Sequence, residues 1–320
     1  MRFLVTGSDG QLGRELMLQL GDKAIGMSRP AYSVESAADC MSRVFALMDM
    51  EPQGESCCVI HTAAFTDVDR AETEPASCYG TNVQGTKILA ERCYRHNVRL
   101  VYISTDYVFG SGDAAKSRAV AESPAPTGIY GWSKYKGEIR VRQVPDHLII
   151  RTSGLFMHGP YRNFPNALIG QIQQGKRKLT VVNDQVVAPT YVPDLARAII
   201  WLADAPLVRD RPATGIVHVT SGGRCSWHKF AIVLLEHLGW NSLVSLSGIS
   251  AREYVRGREL TTALRPRCSV LDTSKYNDWK IEAGAPPMRH WNDGVRDFCA
   301  NWLHDFGHSE MNPFWKPSEE

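Results

Sequence analysis

The first residues, MRFLVTGSDGQLGREL, place a glycine-rich turn between an apolar stretch and a helical pattern. Gly7, Gly10 and Gly13 directly follow the apolar run at residues 3–5 and precede leucines with helical spacing. Glycines between a strand and a helix let a pyrophosphate approach the backbone, and the helix N-terminus adds free N–H groups and a partial positive charge. A glycine turn without a ligand is the alternative, and three glycines alone do not decide between the two.

Short apolar runs alternate with helical patterns through the first half of the chain. The pattern predicts strands at residues 3–5, 24–27, 57–61, 99–104 and 147–151, and helices from about residue 11, roughly at 79–95 and from near residue 130. Strands separated by helices of this length indicate parallel crossovers and a sheet covered on both faces. We therefore predict the α/β class, with a Rossmann-type doubly wound parallel sheet that binds ligands at the carboxyl ends of its strands.

The pattern changes after about residue 151, where Pro and Gly become frequent. Shorter helices are predicted near residues 164–174, 192–203 and 227–238, with a final helix at 291–304. We predict a dinucleotide-binding core at residues 1–151, to which segments roughly between 180 and 220 return. Residues 152–320 would mostly form a smaller, discontinuous C-terminal lobe that closes over this core.

Composition excludes several classes of partner. The net charge of +2 gives no reason to expect nucleic acid or an anionic membrane surface. Apolar runs fall far short of the roughly 20 residues of a membrane span, and the polar residues after position 5 speak against a signal peptide. The eight cysteines include no CxxC pair. We expect a cytoplasmic monomer or homodimer without a bound metal.

The strongest chemical signal joins Ser104 and Thr105, at the end of a predicted strand, with Tyr130 and Lys134 on a later helix. Residues four apart on a helix share one face. A phenol has an ordinary pKa of about 10, and a nearby ammonium favours its ionised form. Such a pair can exchange a proton with a carbonyl or alcohol oxygen while a hydride moves, and Thr105 or Ser104 would hydrogen-bond that oxygen. A solvated Tyr/Lys pair is the alternative, which the upstream glycine turn disfavours.

A series of motifs occurs in one order along the chain. They read VTGSDGQLG, HTAAFTDVDRAE, TN at residues 81–82, YISTDYVFG, IYGWSK, NDQVVAPT and RPRCSVLDTSK. With them the chain resembles the extended short-chain dehydrogenase/reductase superfamily and, more narrowly, its dTDP-4-dehydrorhamnose reductase family, which reduces a 4-keto sugar nucleotide with NAD(P)H. The resemblance spans nearly the whole chain. The glycine turn and YxxxK are specific only to the superfamily, whereas the last two motifs are much narrower.

The resemblance implies a catalytic set of Thr105, Tyr130 and Lys134, in which Tyr130 protonates the oxygen at sugar C4 and Lys134 also holds the nicotinamide ribose. Asn82 would support Lys134 through water or backbone. The implied cofactor contacts are Gly7, Asp9, Gly10, Gln11, Leu12, Ala63, Ala64, Asn82, Tyr130 and Lys134. The implied substrate contacts are Thr66, Val68, Ser104, Thr105, Asp106, Tyr107, Asn163, Gln185 and Arg265. For Gln185 a polar turn is the alternative, and for Arg265 a surface ion pair.

The end of the second predicted strand bears on the choice of cofactor. An NAD-selective site normally has Asp or Glu there to bind the ribose 2′-OH, but this chain has Ser28 and Arg29, with no acid until Glu35. A guanidinium can pair with a 2′-phosphate through two hydrogen bonds. We therefore expect Arg29 to contact NADPH, with NADH possible and an exposed surface arginine as the alternative.

Departures from the resemblance bear on the reaction. Related dehydratases have a Glu where this chain has Tyr107, so dehydration lacks its base and simple reduction, giving dTDP-L-rhamnose, is predicted. Gly154 replaces a Trp that packs near the sugar, Cys268 replaces an Asn, and residues 32–36 lack an Asp that would contact the adenine. These changes leave two alternatives open: a non-catalytic NADP-binding regulatory subunit of the same fold, and a reductase of a different 4-keto sugar nucleotide.

Overall fold

The computed structural model describes residues 1–28, 57–110, 116–204, 213–256 and 263–307, together with residues 309, 312 and 314. Its strands are β1 (Arg2–Thr6), β2 (Ala24–Met27), β3 (Cys57–His61), β4 (Arg99–Thr105), β5 (His147–Thr152), β6 (Leu155–Phe156), β7 (Lys178–Val182), β8 (Val186–Val187), β9 (Thr190–Tyr191), β10 (Gly215–His218), β11 (Cys225–Ser226), β12 (Ser245–Ile249) and β13 (Cys268–Ser269). Its α-helices are α1 (Gln11–Leu20), α2 (Val68–Thr73), α3 (Pro75–Tyr79), α4 (Thr86–Arg95), α5 (Ile129–Val141), α6 (Phe164–Gln173), α7 (Val192–Asp204), α8 (Trp227–Leu238), α9 (Ala251–Arg256), α10 (Ser274–Ala283) and α11 (Trp291–Phe306).

The main sheet has six parallel strands in the spatial order β10-β5-β4-β3-β1-β2. The chain starts at β1 and adds β2 on one side and β3 on the other, so the direction of winding reverses between β1 and β3. Loops that leave these two strands diverge and open a crevice at their carboxyl ends. The α/β doubly wound class is confirmed, and the predicted strand bounds lie within one residue of the observed ones.

Helices cover both faces of this sheet because successive strand residues point to opposite sides. Phe3 and Val5 pack against apolar residues of α1, α7 and α10, whereas Leu4 packs against α4 and α5 on the other face. All seven residues of β4 are buried. A strand covered on both sides needs a nearly continuous apolar sequence, which is why these strands could be recognised as short apolar runs.

A second apolar core forms from later parts of the chain. Phe156 of β6, Phe230 of α8 and Trp302 of α11 pack together there. Small sheets of order β11-β8-β13, β12-β7 and β6-β9 accompany this core. Because β10 returns to the edge of the main sheet, early and late segments interleave. The predicted division at residue 151 stays a prediction.

The helix predicted at 79–95 begins earlier than expected. It starts at Pro75, whose missing N–H costs nothing at a helix start, and contains the π-helical stretch Gly80–Gly85 between α3 and α4. Across the described ranges, no helix is both long enough and apolar enough to cross a membrane.

Candidate active site

A cleft of about 790 Å³ opens at the carboxyl ends of β1, β3, β4 and β5. Most of the predicted site residues meet there, although they come from distant parts of the sequence. Those that line the cleft are Gly7, Asp9, Gly10, Gln11, Leu12, Ala63, Ala64, Thr66, Val68, Ser104, Thr105, Asp106, Tyr107, Tyr130 and Lys134. Among the described residues, no group of His, Cys, Asp or Glu side chains has the arrangement of a metal site.

The glycine turn, residues 7–13, joins β1 to α1 along one wall of the cleft. Gly7 has a φ of +72°, and a Cβ there would lie 2.7 Å from the Ala63 nitrogen. A Cβ on Gly13 would overlap the carbonyl oxygen of Gly7. Gly10 caps α1 and no side chain bonds the first N–H groups of that helix. These N–H groups and the partial positive charge at the helix start are suited to the phosphates of a dinucleotide.

Lys134 lies one turn after Tyr130 on α5 and is 3% exposed. Its Nζ donates to the Ile103 carbonyl at 2.7 Å and lies 4.1 Å from the centroid of the Tyr102 ring. Burial lowers the pKa of Lys134 to about 7, against the opposing effect of the Glu138 carboxylate. The Lys134 side chain can therefore gain or lose a proton near neutral pH.

Tyr130 is half-buried, hydrogen-bonds the Thr105 hydroxyl and meets the Tyr107 ring edge-on at 5.5 Å between centroids. Burial raises the pKa of Tyr130 above its ordinary value; the Asp106 carboxylate raises it further, and the bond to Thr105 opposes both. Desolvation dominates, so the pKa of Tyr130 lies above its ordinary value, although the sequence predicts that Lys134 favours the ionised form. Tyr130 therefore stays protonated at neutral pH, as a proton donor must.

Thr105, at the end of β4, connects Tyr130 to a buried carboxyl group. Its Oγ1 donates to Asp106 Oδ1 at 3.0 Å and accepts from the Tyr107 N–H at 3.2 Å. Asp106 is 5% exposed and also hydrogen-bonds Ser269 of β13. Burial raises the pKa of Asp106 to about 6, while its bonds to Ser269 and Thr105 oppose that rise.

A buried ion pair lies beneath this group. Arg151 Nε and Nη2 donate to the Glu138 carboxylate at 2.8 and 2.7 Å, and the Ser104 hydroxyl donates to Glu138 Oε1 at 2.7 Å. Arg151 is 1% exposed and Glu138 is fully buried. The pair fixes the strand end that carries Thr105 against the helix that carries Tyr130. This pair was not predicted from the sequence, although Glu138 follows Lys134 by four residues, a spacing that places both on one helical face.

Asn82 and Asn163 are predicted site residues that do not line the cleft, but they hydrogen-bond residues that line it or lie beside it. Asn82 Oδ1 accepts from the Phe65 N–H at 2.8 Å, and its Nδ2 donates to the Phe65 carbonyl at 3.1 Å and to Ser133 Oγ at 2.8 Å. These bonds hold the loop after β3 on α5. Asn163 Nδ2 donates to Gln11 Oε1 at 3.2 Å and so links the start of α6 to the glycine turn.

Two further predicted substrate residues also lie outside the lining. Gln185 is buried directly before β8. Arg265 Nη2 pairs with Asp69 Oδ2 at 2.8 Å, and its guanidinium also hydrogen-bonds Tyr107, which does line the cleft. The ion pair named as the alternative for Arg265 is therefore present, with a partner on α2.

Gly154 and Arg162 also line the cleft. Gly154 lines it with a φ of +57°, and a Cβ there would lie 2.9 Å from Val187 Cγ2. A tryptophan would be strained in this backbone conformation, so the local backbone favours the glycine that stands in its place. Arg162, which the sequence analysis missed, also lines the cleft and pairs with Asp67 at 3.1 Å. Arg29 and residues 32–36 lie outside the described residues.

Fold and site together define a class: a Rossmann-type oxidoreductase of the short-chain dehydrogenase/reductase kind, with Thr105, Tyr130 and Lys134 at the crevice where a dinucleotide would cross the sheet. A family model narrows this class. It is described as the RmlD substrate binding domain, and it matches residues 1–303. The chain belongs to this family.

Three curated relatives match nearly the whole chain. The spore coat polysaccharide biosynthesis protein SpsK of Bacillus subtilis is 35% identical over 93% of this chain and 96% of its own. A dTDP-4-dehydrorhamnose reductase of Aggregatibacter actinomycetemcomitans is 34% identical, with coverages of 86% and 91%. A dTDP-4-keto-6-deoxy-D-glucose reductase of Streptomyces niveus is 32% identical, with coverages of 92% and 95%.

Solved structures agree with this assignment. The crystal structure of a dTDP-4-dehydrorhamnose reductase from Clostridium acetobutylicum matches with a TM-score of 0.79 and 29% identity, covering 95% of this chain and 100% of that one. The enzyme of that name from Bacillus anthracis, in complex with NADP, matches with a TM-score of 0.76 and 28% identity, covering 94% and 99%. The resemblance stated from the motifs is confirmed, and the chain is an NAD(P)H-dependent sugar-nucleotide reductase by family.

Proposed function

We propose that this protein uses NADPH to reduce the 4-keto group of a dTDP-4-keto-6-deoxy sugar, as a dTDP-4-dehydrorhamnose reductase that gives dTDP-L-rhamnose. One observation carries the proposal: Thr105, Tyr130 and Lys134 line the same cleft as the glycine turn. A hydrogen-bonded phenol that stays protonated at neutral pH is the group that reduction of a ketone requires.

The residues of the cleft fit a dinucleotide. The uncapped start of α1 would hold the pyrophosphate, Ala63 and Ala64 would pass along the cofactor, and Lys134 would hold the nicotinamide ribose. Bound NADPH supplies the hydride. Two observations support NADPH over NADH: Arg29 follows the second strand in the sequence, and the Bacillus anthracis relative was solved with NADP.

The chain itself moves the proton. Tyr130 donates its proton to the ketone oxygen, and the oxygen becomes the hydroxyl of the product. Thr105 holds Tyr130 in place through their hydrogen bond. Lys134, buried on the same helix, provides positive charge that stabilises the phenolate left behind. Glu138 and Arg151 keep the strand and the helix that carry these groups in register.

A second candidate substrate has support from Gly154. Gly154 lines the cleft where the resemblance implies a tryptophan, so the contact area that an aromatic ring would give the sugar is missing. The Streptomyces niveus relative is named for dTDP-4-keto-6-deoxy-D-glucose, so the family includes members named for different sugars. A reductase of a different 4-keto sugar nucleotide is therefore the second candidate. The regulatory-subunit alternative has less support, because the complete Thr105, Tyr130 and Lys134 set is in place.

The test is NADPH oxidation by the purified protein with dTDP-4-dehydrorhamnose and with dTDP-4-keto-6-deoxy-D-glucose, and with NADH in place of NADPH. We expect dTDP-L-rhamnose from the first substrate, identified by NMR of the product. The matched variant Tyr130→Phe should lower kcat by about 10²- to 10⁴-fold because it lacks the proton, while the Kd for NADPH stays the same.

Each contrary result has its own meaning. Turnover only with the second sugar would move the assignment to that substrate. Tight NADPH binding without turnover of either sugar would favour the regulatory subunit. A Tyr130→Phe variant that keeps most of its kcat would remove Tyr130 from the role of proton donor.

A further inference from the structure

The hydrogen bonds of Thr105 determine where the proton of Tyr130 points. A hydroxyl has one donor and two acceptor positions. Thr105 uses its donor on Asp106 and one acceptor position on the Tyr107 N–H. Its bond to Tyr130 lowers the pKa of the phenol, which is the effect of a bond that Thr105 donates, so Asp106 and Tyr130 compete for the single Thr105 proton. While Thr105 donates to the Asp106 carboxylate, its remaining acceptor position is open to the Tyr130 proton, which is then not directed at a substrate oxygen.

We propose that Asp106 is a positioning residue whose neutral form turns this hydrogen-bond chain toward the substrate. A protonated Asp106 donates to Thr105 Oγ1, which frees the Thr105 proton to donate to the Tyr130 oxygen. Tyr130 can then donate to the ketone. An ionised Asp106 accepts only, and it keeps the Thr105 proton. The inference rests on the proposed reduction, because it concerns how the proton donor of that reaction is aimed.

The surroundings of Asp106 allow both forms near neutral pH. Its carboxyl group is 5% exposed, and burial raises its pKa to about 6. The titratable and charged groups around it are Tyr107 on its own turn and Tyr130 on α5. Arg265 and Asp69 act on Tyr107, and Lys134 lines the same cleft. The carboxylate also raises the pKa of Tyr130, so loss of its charge makes the phenol a better donor as well.

The proton balance is simple. In the reduction a hydride joins the carbonyl carbon and the Tyr130 proton joins its oxygen. The phenolate regains a proton from solvent, and Asp106 ends the step in the form in which it began. Since the productive form is the neutral one, activity is present below the pKa of Asp106 and is lost as the pH rises through it.

The first experiment measures kcat with NADPH and the 4-keto sugar from well below to well above pH 6. In the wild type kcat should fall on the alkaline side by about tenfold for each further pH unit. Asp106→Asn, whose amide donates at every pH, should lose the part of this fall centred near pH 6, keep the part near pH 7 at which Lys134 loses its charge, and match or exceed the wild-type rate at high pH. Ser269→Ala removes a bond that stabilises the carboxylate, so its fall should move to higher pH.

The matched control is Asp67→Asn, a carboxylate that caps α2 and pairs with Arg162 without contacting Thr105. In Asp67→Asn, kcat should fall with rising pH as it does in the wild type. A fall centred near pH 6 that survives in Asp106→Asn, a wild type without a fall near pH 6, or an Asp106→Asn variant that is inactive at every pH would each overturn the inference.

A second readout does not depend on turnover. Carbon-13 NMR of the Asp carboxyl groups, with the Asp106 signal assigned by its loss in Asp106→Asn, should show a midpoint at about 6. Thr105→Val should move that midpoint upward, because the carboxylate loses a donor, whereas Thr105→Ser should keep it. An unchanged midpoint in Thr105→Val overturns the inference. If neither sugar is reduced while the midpoint moves as stated, the proposed function fails and the Thr105–Asp106 bond stands.

Discussion

Different kinds of contact fix the shape of the two walls of the cleft. The glycine turn takes its shape from backbone alone, with Gly7 at a positive φ and Gly13 against the Gly7 carbonyl oxygen. The other, which we call the outer wall, comprises residues 162–163 and 263–269, of which Arg162 lines the cleft and the others lie behind the lining. It is attached through side-chain contacts to residues on the sheet side: Arg162 with Asp67, Asn163 with Gln11, Arg265 with Asp69 and Ser269 with Asp106.

This difference indicates that the outer wall can vary in structure, whereas the glycine turn cannot. A backbone in close contact has no alternative arrangement, so the glycine turn is restricted to the geometry that suits a pyrophosphate. The outer wall depends on polar contacts that solvent partly screens: the Arg162 side chain is 91% exposed and that of Arg265 is 32% exposed. A family with one cofactor site and several sugar substrates is consistent with this construction. Three substitutions test the comparison, in order of decreasing effect.

The largest effect is expected at the Glu138–Arg151 pair, beneath the proposed catalytic groups. Glu138→Gln leaves Arg151 buried without its counter-charge, so the free energy of unfolding should fall by about 3–5 kcal/mol, measured by urea denaturation. The control is Arg142→Gln, since Arg142 reaches the same carboxylate at 3.4 Å but its side chain is 41% exposed. That change should cost about 0–1 kcal/mol. Equal losses would mean that burial does not set the strength of this pair.

The second effect concerns the glycine turn. In Gly13→Ala the new Cβ overlaps the Gly7 carbonyl oxygen, so α1 must shift, at a cost of about 1–3 kcal/mol in unfolding free energy and with weaker NADPH binding. Gly170→Ala on α6 is the matched control, because no atom lies within 4 Å of its added Cβ. The control should stabilise the protein by up to about 1 kcal/mol and leave NADPH binding unchanged. If both variants bind NADPH as tightly as the wild type, the turn is not restricted in the way described.

The same contrast explains which parts of the fold and of the site the sequence predicts. Strands buried on both faces must be apolar throughout, so β1 to β5 were found to within a residue. The glycine turn and the Tyr130–Lys134 spacing are local patterns, and they were found too. The Arg265 contact to Asp69 joins positions 196 residues apart, and no local pattern encodes it. The upward pKa shift of Tyr130 was missed for a related reason, because burial depends on the folded surroundings.

The smallest effect is expected on the outer wall, at Arg265. If its guanidinium mainly ties residues 263–269 to α2, Arg265→Gln removes a partly exposed ion pair with a carboxylate that is 42% exposed. Such a pair contributes about 0.2–1 kcal/mol, which is less than about fivefold in the KM for the sugar nucleotide. Asp69→Asn should then give a similar change, and the double variant should be little worse than either single one.

The same measurement can reject that role. A guanidinium that leaves Asp69 to bind the substrate diphosphate would make charge-assisted hydrogen bonds of about 1.5–3 kcal/mol, so Arg265→Gln would raise KM by more than about tenfold. Asp69→Asn would then lower KM, because it releases the cation that the carboxylate holds at rest. Opposite signs for the two variants would make Arg265 a substrate contact, as the sequence analysis expected. Equal signs and small sizes would keep it as a tie between the two walls, and the diphosphate would have to bind other groups of the cleft.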